Sequence, residues 1–190
     1  MKRIGILGGT FNPIHNGHLA IAQMVAEDFL LDKIIFVPSH VPPHKAAKNL
    51  IPAYQRLAMV NLAVKGNSLF AVSDCEIKRP GKSYSIDTVK FLKDQYNPGA
   101  KFFFIIGSDM LVKLHTWKEI STLASLVTFI VVSRRGVLNT RAKIKVLYAN
   151  TIDLEVSSTA LRTRLASGKS VKYLLPDNVI AYINKQKFYQ

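Results

Sequence analysis

The chain has 190 residues, of which 48% are hydrophobic and 20% are charged, which is ordinary composition for a globular domain. Its single cysteine, Cys75, excludes a disulfide framework and predicts a packed, inert thiol in a reducing compartment. No apolar run is long enough to cross a bilayer, and the first residues lack a signal-peptide pattern. We therefore expect a soluble, cytoplasmic protein whose single domain spans residues 1–190.

The formal net charge of +14 raises the question of a nucleic-acid partner. The basic residues are scattered, however, and no run contains five or more of them. The densest group lies between Arg134 and Lys145, in a stretch with no acidic residue. It could attract a nucleotide, or it could be an ordinary basic surface. We predict no nucleic-acid partner and no membrane association, while self-association into a homo-oligomer stays open.

The chain begins with a strand, a glycine-bearing turn and a helix. Residues 4–7 form a short apolar run that predicts a buried strand, and residues 19–30 are mostly apolar and free of glycine and proline. Gly8 and Gly9 lie between them, where glycine lets a backbone approach a ligand closely. This order is typical of the phosphate-binding corner of a doubly wound α/β fold.

Two histidines distinguish this turn. His15 and His18 lie three residues apart in Gly-Gly-Thr-Phe-Asn-Pro-Ile-His-Asn-Gly-His-Leu, residues 8–19, and two imidazoles at a helix start suit a polyanion. The stretch contains neither a dinucleotide fingerprint nor a P-loop. A metal site would need a third ligand, for which His40 and His44 are candidates, and two surface histidines without function are the other alternative.

Strands and helices alternate along the rest of the chain. Further strands are predicted at residues 33–37, 69–73, 101–107, 126–132 and 143–149, and helices at residues 52–65, 84–96, from 157 and from 170 onward. Residues 74–83 read as a polar turn, and residues 101–107 form the most apolar and therefore central strand. We predict an α/β fold: a doubly wound, Rossmann-like parallel sheet of five to six strands with helices on both faces.

Candidate ligand groups follow several of these strands, because ligands bind at the carboxyl ends of parallel strands. Lys45 lies in a proline-rich loop after the second strand. Gly107 and Asp109 end the central strand, where a carboxylate can hold ribose hydroxyls or, alternatively, cap a helix. Arg134 follows the fifth strand.

A second motif, Val-Ser-Ser-Thr-Ala-Leu-Arg at residues 156–162, opens a helix with three hydroxyls and places an arginine one turn later. Ser158, Thr159 and Arg162 can converge on one anion together with the free amide groups of the helix start. The alternative is a surface helix capped by Ser157 or Ser158.

Residues 8–19 and 156–162 resemble the two signatures of the HxGH nucleotidyltransferases, and the whole chain resembles the nicotinate mononucleotide adenylyltransferases among them. The resemblance implies that His15 and His18 bind ATP phosphates, that Lys45 and Arg162 hold phosphate charge, and that Asp109 lies near a ribose. It assigns further ATP contacts to Gly8, Gly9, Thr10, Phe11, Gly107, Arg134, Ser158 and Thr159. The pyridine nucleotide would contact Asn12, Tyr84, Thr88 and Trp117. The resemblance implies no metal-binding residues; Mg²⁺ would accompany ATP, held by phosphate oxygens and water.

The function implied by this resemblance is adenylyl transfer from ATP to nicotinate mononucleotide, giving deamido-NAD and pyrophosphate in NAD biosynthesis. The inventory of histidines, lysine, arginine and helix-start amides suits a phosphate nucleophile, which is already ionised and needs alignment and charge neutralisation. Sister transferases acting on phosphopantetheine or a cytidylyl acceptor are the close alternative, disfavoured by His15 and Trp117. A basic nucleic-acid binder and a silent nucleotide sensor are the alternatives from other classes.

Overall fold

The computed structural model describes residues 1–42, 50–79, 81–132, 144–149 and 156–190. The predictions for His44, Lys45 and Arg134 concern positions outside these residues, as does most of the basic group between Arg134 and Lys145.

The described strands form one six-stranded sheet in which every pair of neighbours is parallel. The strands are β1 (Arg3–Gly9), β2 (Lys33–Pro38), β3 (Phe70–Val72), β4 (Lys101–Gly107), β5 (Thr128–Val132) and β6 (Val146–Ala149). Their spatial order is β3-β2-β1-β4-β5-β6, so the chain starts in the middle and is wound outward to each side. The predicted doubly wound sheet and the central place of residues 101–107 are confirmed.

Alternate residues of each central strand enter two separate cores, because side chains of a strand point to opposite faces. Ile4 and Ile6 of β1 belong to one core and Leu7 to the other. The first core includes residues of α3 (Cys75–Lys78), α4 (Ser85–Asp94), α5 (Ser108–Leu111) and α6 (Ile120–Leu126). The second includes residues of α1 (Asn16–Asp28), α2 (Ala53–Val64), α7 (Ser158–Ala166) and α8 (Asp177–Gln186). Both faces of the sheet are therefore covered by helices.

Three segments differ from the prediction. Helix α1 begins at Asn16 and not at residue 19, so His18 lies in its first turn and His15 is its N-cap residue. The predicted polar turn at residues 74–83 contains the short helix α3. Residues 108–126, for which only a helix start was expected, fold as α5, a 3₁₀ turn (Leu114–Thr116) and α6. Elements of three to seven residues are too short to show a helical period in the sequence.

The predicted N-cap of the helix after β4 also needs correction. Gly107, and neither Ser108 nor Asp109, is the N-cap residue of α5, and no side chain caps this helix. At α7 the alternative prediction is confirmed for Ser157, whose Oγ accepts a hydrogen bond from the Ala160 amide at 3.2 Å. Among the described helices, none combines the length and the apolar character needed to span a membrane.

Candidate active site

The first motif lies at the carboxyl end of β1, at the centre of the sheet. The Gly9 carbonyl accepts a hydrogen bond from the Ser39 amide at 2.9 Å, which ties this turn to the end of β2. A Cβ at Gly9 would lie 2.8 Å from the Phe11 ring, so only glycine fits here. Phe11 is 2% exposed and packs in the core. The turn can thus offer a nucleotide the backbone of Gly8, Gly9, Thr10 and Phe11, but not the Phe11 ring.

The two histidines stack on each other at the start of α1. Their ring centroids are 3.7 Å apart, and the His15 amide donates a hydrogen bond to His18 Nδ1 at 3.2 Å. Because Nδ1 is an acceptor in this bond, a neutral His18 carries its proton on Nε2, as a donor. His15 is 5% exposed and His18 is half-buried, so His18 is the more accessible ring.

Gly17 allows this stacking. A Cβ at Gly17 would approach His15 Nδ1 to 3.0 Å, so a side chain there would press on the imidazole. The Phe11 ring contacts His18 edge-on at a centroid distance of 5.1 Å. His18 is therefore held between His15 and Phe11, and its ring is oriented before any ligand binds.

The second motif meets the first at the peptide between Asn12 and Pro13. Arg162 Nη1 donates to the Asn12 carbonyl at 2.8 Å, and Ser158 Oγ donates to the Pro13 carbonyl at 2.9 Å. Arg162 Nη2 also bonds to Thr159 Oγ1 at 3.2 Å. Two motifs that lie about 145 residues apart in sequence thus form one structure, at which the starts of α1 and α7 come together.

Asn12 is buried and is hydrogen-bonded to three separate parts of the chain. It is 6% exposed, and its Oδ1 accepts hydrogen bonds from the Ile51 amide and the Tyr189 hydroxyl, at 3.3 and 2.7 Å. Its carbonyl is bound to Arg162. These contacts hold the turn that precedes His15, and a contact of Asn12 with a pyridine nucleotide stays a prediction.

The start of α4 forms a second surface of the candidate site, beside the two motifs. Tyr84 precedes the helix, and the Lys118 ammonium lies 4.9 Å from the centre of its ring. Thr88 lies behind this surface: it is 1% exposed, and its hydroxyl donates to Glu76 Oε1 at 2.6 Å. The Thr88 side chain therefore packs beneath the start of α4, and its contact with a pyridine nucleotide stays a prediction.

Glu76 is a buried carboxylate that sequence reasoning did not find. Burial raises the pKa of its carboxyl, against the opposing effects of Thr88, Ser83 and Arg79. Ser83 Oγ also accepts a hydrogen bond from the His40 amide at 2.9 Å. This buried cluster connects the end of β2 to the start of α4, and Glu76, Arg79 and Ser83 lie in the stretch predicted as a turn.

Trp117 packs against the aromatic core between β4 and β5. Its ring centroid lies 5.7 Å from that of Phe104 and 6.3 Å from that of Phe129, both in edge-on geometry. The indole is half-buried, and among the described residues no acceptor binds its buried Nε1. Asp109 is exposed, and its carboxylate lies against the backbone of Gly107, 2.5 Å from where a Cβ on Gly107 would be.

Arg56 is the largest fully buried side chain of the described residues and was not predicted as a site residue. Its guanidinium donates four hydrogen bonds, to the carbonyls of Thr10, Ser39, His40 and Ile51, over 2.6–3.0 Å. Burial lowers the pKa of Arg56, but a guanidinium stays charged at neutral pH. Arg56 thus joins the loops after β1 and β2. Its spacing from Met59 and Val60 indicated the buried face of α2, and that was the available signal.

The described residues contain no group of three histidine, cysteine, aspartate or glutamate side chains that could hold a metal ion. Mg²⁺ commonly binds together with nucleotides through phosphate oxygens and water, and such binding needs few protein ligands.

Both the sequence and the fold are similar to those of known proteins. A model of the cytidylyltransferase-like family matches residues 6–164. The probable nicotinate-nucleotide adenylyltransferase of Lactiplantibacillus plantarum is 43% identical, over 100% of this chain and 89% of that protein. The nicotinate-nucleotide adenylyltransferase of Bacillus subtilis is 41% identical, over 100% of both chains. The Plasmodium falciparum nicotinic acid mononucleotide adenylyltransferase complexed with NaAD shares the fold, with a TM-score of 0.83, 22% identity and coverage of 100% and 98%.

Proposed function

The chain belongs to the nicotinate-nucleotide adenylyltransferase family, and we propose that it transfers the adenylyl group of ATP to nicotinate mononucleotide, forming nicotinate adenine dinucleotide and pyrophosphate. The observation that carries this proposal is the meeting of the two motifs at Asn12 and Pro13. It brings the imidazole donor of His18, the Arg162 guanidinium and two helix starts to one corner of the sheet, which suits a triphosphate.

The reaction forms one bond and breaks one bond. A phosphate oxygen of the mononucleotide attacks the α-phosphorus of ATP, and the bond from that phosphorus to the bridging oxygen breaks, leaving its electron pair on pyrophosphate. The attacking phosphate is ionised at neutral pH, so no general base is required. The protein has to hold attacker and leaving group in line and stabilise the charge that accumulates on pyrophosphate.

We assign the most direct role to His18. Its Nδ1 accepts a hydrogen bond from the His15 amide, so a neutral His18 carries its proton on Nε2, the nitrogen that would donate to a phosphate oxygen. His15 packs beneath it and the Phe11 ring beside it, which fixes the donor before ATP arrives. A donor that is oriented in advance costs no reorganisation during the reaction.

Arg162 and the backbone of residues 8–11 supply the remaining described donors. Arg162 binds the Asn12 carbonyl and Thr159, and a guanidinium has further N–H groups for phosphate oxygens. Lys45 and Arg134 remain predicted phosphate contacts. We propose that Mg²⁺ arrives with ATP and neutralises part of the triphosphate charge, held by phosphate oxygens and water. Asp109, exposed after β4, is the proposed ribose contact.

The pyridine ring is proposed to bind between Tyr84, the N-cap residue of α4, and Trp117, which follows the 3₁₀ turn, because both carry flat aromatic surfaces and the Lys118 ammonium contacts the Tyr84 ring. The unpaired amide groups at the start of α4 suit the carboxylate that distinguishes nicotinate from nicotinamide. We therefore propose a preference for the acid form of the mononucleotide. The proposed location is cytoplasmic, with small-molecule substrates and neither nucleic acid nor membrane as partner; homo-oligomerisation stays open.

The test is pyrophosphate release with ATP and Mg²⁺ and either nicotinate or nicotinamide mononucleotide. We expect turnover with the acid form, and His18→Ala should lower kcat about 10²- to 10³-fold, the loss typical of a removed transition-state donor. His115→Ala is the matched control, since His115 is an exposed histidine of the 3₁₀ turn whose Nδ1 lies 3.0 Å from the Val112 carbonyl oxygen. Absence of turnover with both mononucleotides would refute the proposed acceptor. Equal kcat in His18→Ala and wild type would refute the role of His18.

A further inference from the structure

The end of the chain reaches the site. The Tyr189 hydroxyl donates to Asn12 Oδ1 at 2.7 Å, across 177 residues of sequence. Asn12 lies directly before Pro13, at the junction that Arg162 and Ser158 bind from the other side. The penultimate residue of the chain thus contacts the turn that carries His15 and His18.

The chain after α8 has an unusual backbone conformation that its contacts stabilise. Lys187 and Tyr189 both adopt left-handed backbone conformations, with φ of 56° and 63°. This region is costly for residues other than glycine and persists only where surrounding contacts compensate. The Phe188 amide bonds to the Ile183 carbonyl at 3.1 Å, and the Phe188 ring lies 6.2 Å from the rings of both Tyr182 and Tyr189. The tail is folded back onto α8, with the Tyr189 ring directed at Asn12.

We propose that Tyr189 is a positioning residue of the active site: its hydroxyl fixes the Asn12 side chain, and through it the turn that orients His15 and His18. The inference rests on the proposed adenylyl transfer and deepens it. Tyr189 touches neither reacting phosphate in this assignment, and it acts through Asn12.

The donor role is consistent with the surroundings of the hydroxyl. Burial raises the pKa of Tyr189, although the nearby Arg162 and Arg56 act in the opposite direction. The phenol therefore stays protonated, and remains a donor, over the neutral pH range. Asn12 Oδ1 also accepts a hydrogen bond from the Ile51 amide, at 3.3 Å, so the tyrosine hydroxyl supplies the shorter of these two bonds.

Tyr189→Phe removes only the hydroxyl and keeps the ring in its packing. Tyr182→Phe is the matched control, because Tyr182 belongs to the same C-terminal segment and its hydroxyl also donates to a side chain, Gln55 Oε1 on α2, away from the histidines. A merely structural role predicts similar losses of melting temperature and of activity in both variants. A positioning role predicts a fall in kcat for Tyr189→Phe alone.

We expect kcat of Tyr189→Phe to fall about tenfold with little change in KM, since a small misplacement of aligned groups lowers turnover more than binding. The histidine ring resonances of His15 and His18, recorded by NMR without substrate, should shift in Tyr189→Phe and not in Tyr182→Phe. In an Asn12→Ala background, Tyr189→Phe should cause little further loss, because coupled residues are not additive.

Wild-type kcat in Tyr189→Phe, or equal losses in both phenylalanine variants, would overturn the proposal. If the wild-type protein turns over neither mononucleotide, the proposed function fails, and the histidine resonances then decide the positioning role alone. Unchanged resonances in Tyr189→Phe would overturn it, and a shift confined to that variant would support it.

Discussion

At the scale of single residues, Arg56 shows how a buried charge can organise two loops at once. Its four hydrogen bonds all end on backbone carbonyls, at Thr10, Ser39, His40 and Ile51. A leucine would fill part of the space but would leave buried carbonyls without donors. We expect Arg56→Leu to lower the free energy of unfolding by about 3 kcal/mol or more, since unsatisfied buried groups cost about 1–3 kcal/mol each.

Urea denaturation followed by circular dichroism measures this loss. Arg164→Leu is the control, because the Arg164 guanidinium also bonds a backbone carbonyl, that of Ser170, but is exposed. Surface substitutions of this kind usually change stability by about 0.5 kcal/mol or less. Equal losses in the two variants would show that the buried contacts of Arg56 contribute no more than the exposed contacts of Arg164.

The buried carboxyl of Glu76 should make the free energy of unfolding depend on pH. Burial raises the pKa of its carboxyl above the ordinary value of 4.5, so the folded chain binds this proton more tightly than the unfolded chain. The contribution of Glu76 is therefore most favourable at acid pH and is lost as pH rises through the window above 4.5. Glu76→Gln keeps an oxygen acceptor for Thr88 and has no proton to lose.

We expect the melting temperature of Glu76→Gln, relative to wild type, to increase between about pH 5 and about pH 8. Thermal unfolding at both pH values measures the difference, and Glu27→Gln, at an exposed carboxylate on α1, is the control. A relative melting temperature that decreases with pH would mean that the charged form of Glu76 is the one favoured by folding.

At the scale of elements, two neighbouring serines at the start of α7 have separable roles. Ser157 Oγ caps the helix through the Ala160 amide, whereas Ser158 Oγ donates to the Pro13 carbonyl in the first motif. Loss of an N-cap side chain costs about 1 kcal/mol. We expect Ser157→Ala to lower stability by about this amount with kcat nearly unchanged, and Ser158→Ala to lower kcat more than stability.

Thermal unfolding and steady-state kinetics on both variants measure the two effects. Thr163→Ala serves as a further control, since its hydroxyl bonds only within α7, to the Thr159 carbonyl. The same ratio of stability loss to kcat loss in Ser157→Ala and Ser158→Ala would contradict the separation of roles.

Elements were predictable from the sequence in proportion to their length and apolar content. β1, β4 and α2 were located to within a residue or two because each has a sustained apolar pattern. The helices α3 and α6, of four and seven residues, were missed, and only a helix start was expected for α5, because these short elements depend on tertiary packing against β2, β4 and β5. The two motifs were found as separate stretches, since each has its own local signature.

The contacts that join the motifs had no such signature. The bonds from Arg162 to Asn12 and from Tyr189 to Asn12 cross 150 and 177 residues, and only the folded sheet brings their elements together. The burial of Arg56 and Thr88 likewise reverses the usual expectation that arginine and threonine are exposed. Sequence reasoning thus located the two motifs but not the buried residues and long-range contacts that hold them together.

At the scale of the whole molecule, the net charge of +14 acts on substrates that are themselves anions. A positive protein attracts ATP and the mononucleotide over distances comparable with the Debye length, which is about 10 Å at 0.1 M salt. In the proposed reaction the chemistry involves groups in direct contact with the phosphates, such as His18 and Arg162, and salt screens such short-range interactions little. Salt should therefore oppose binding much more than turnover.

We expect KM for ATP to rise several-fold between about 0.05 M and about 0.5 M NaCl while kcat changes by less than about twofold. Steady-state kinetics at fixed excess Mg²⁺ measures both constants. A variant with two exposed lysines, Lys65 and Lys101, changed to glutamine should show a weaker dependence of KM on salt.

The alternative explanation of the net charge is a nucleic-acid partner, and oligonucleotide binding measured by fluorescence anisotropy tests it. Tight, salt-sensitive binding to an oligonucleotide that ATP does not displace would mean that the basic surface serves a nucleic acid. A kcat that falls as steeply as KM rises would place the salt effect in the reaction step, and the charge would then act on the catalytic groups themselves.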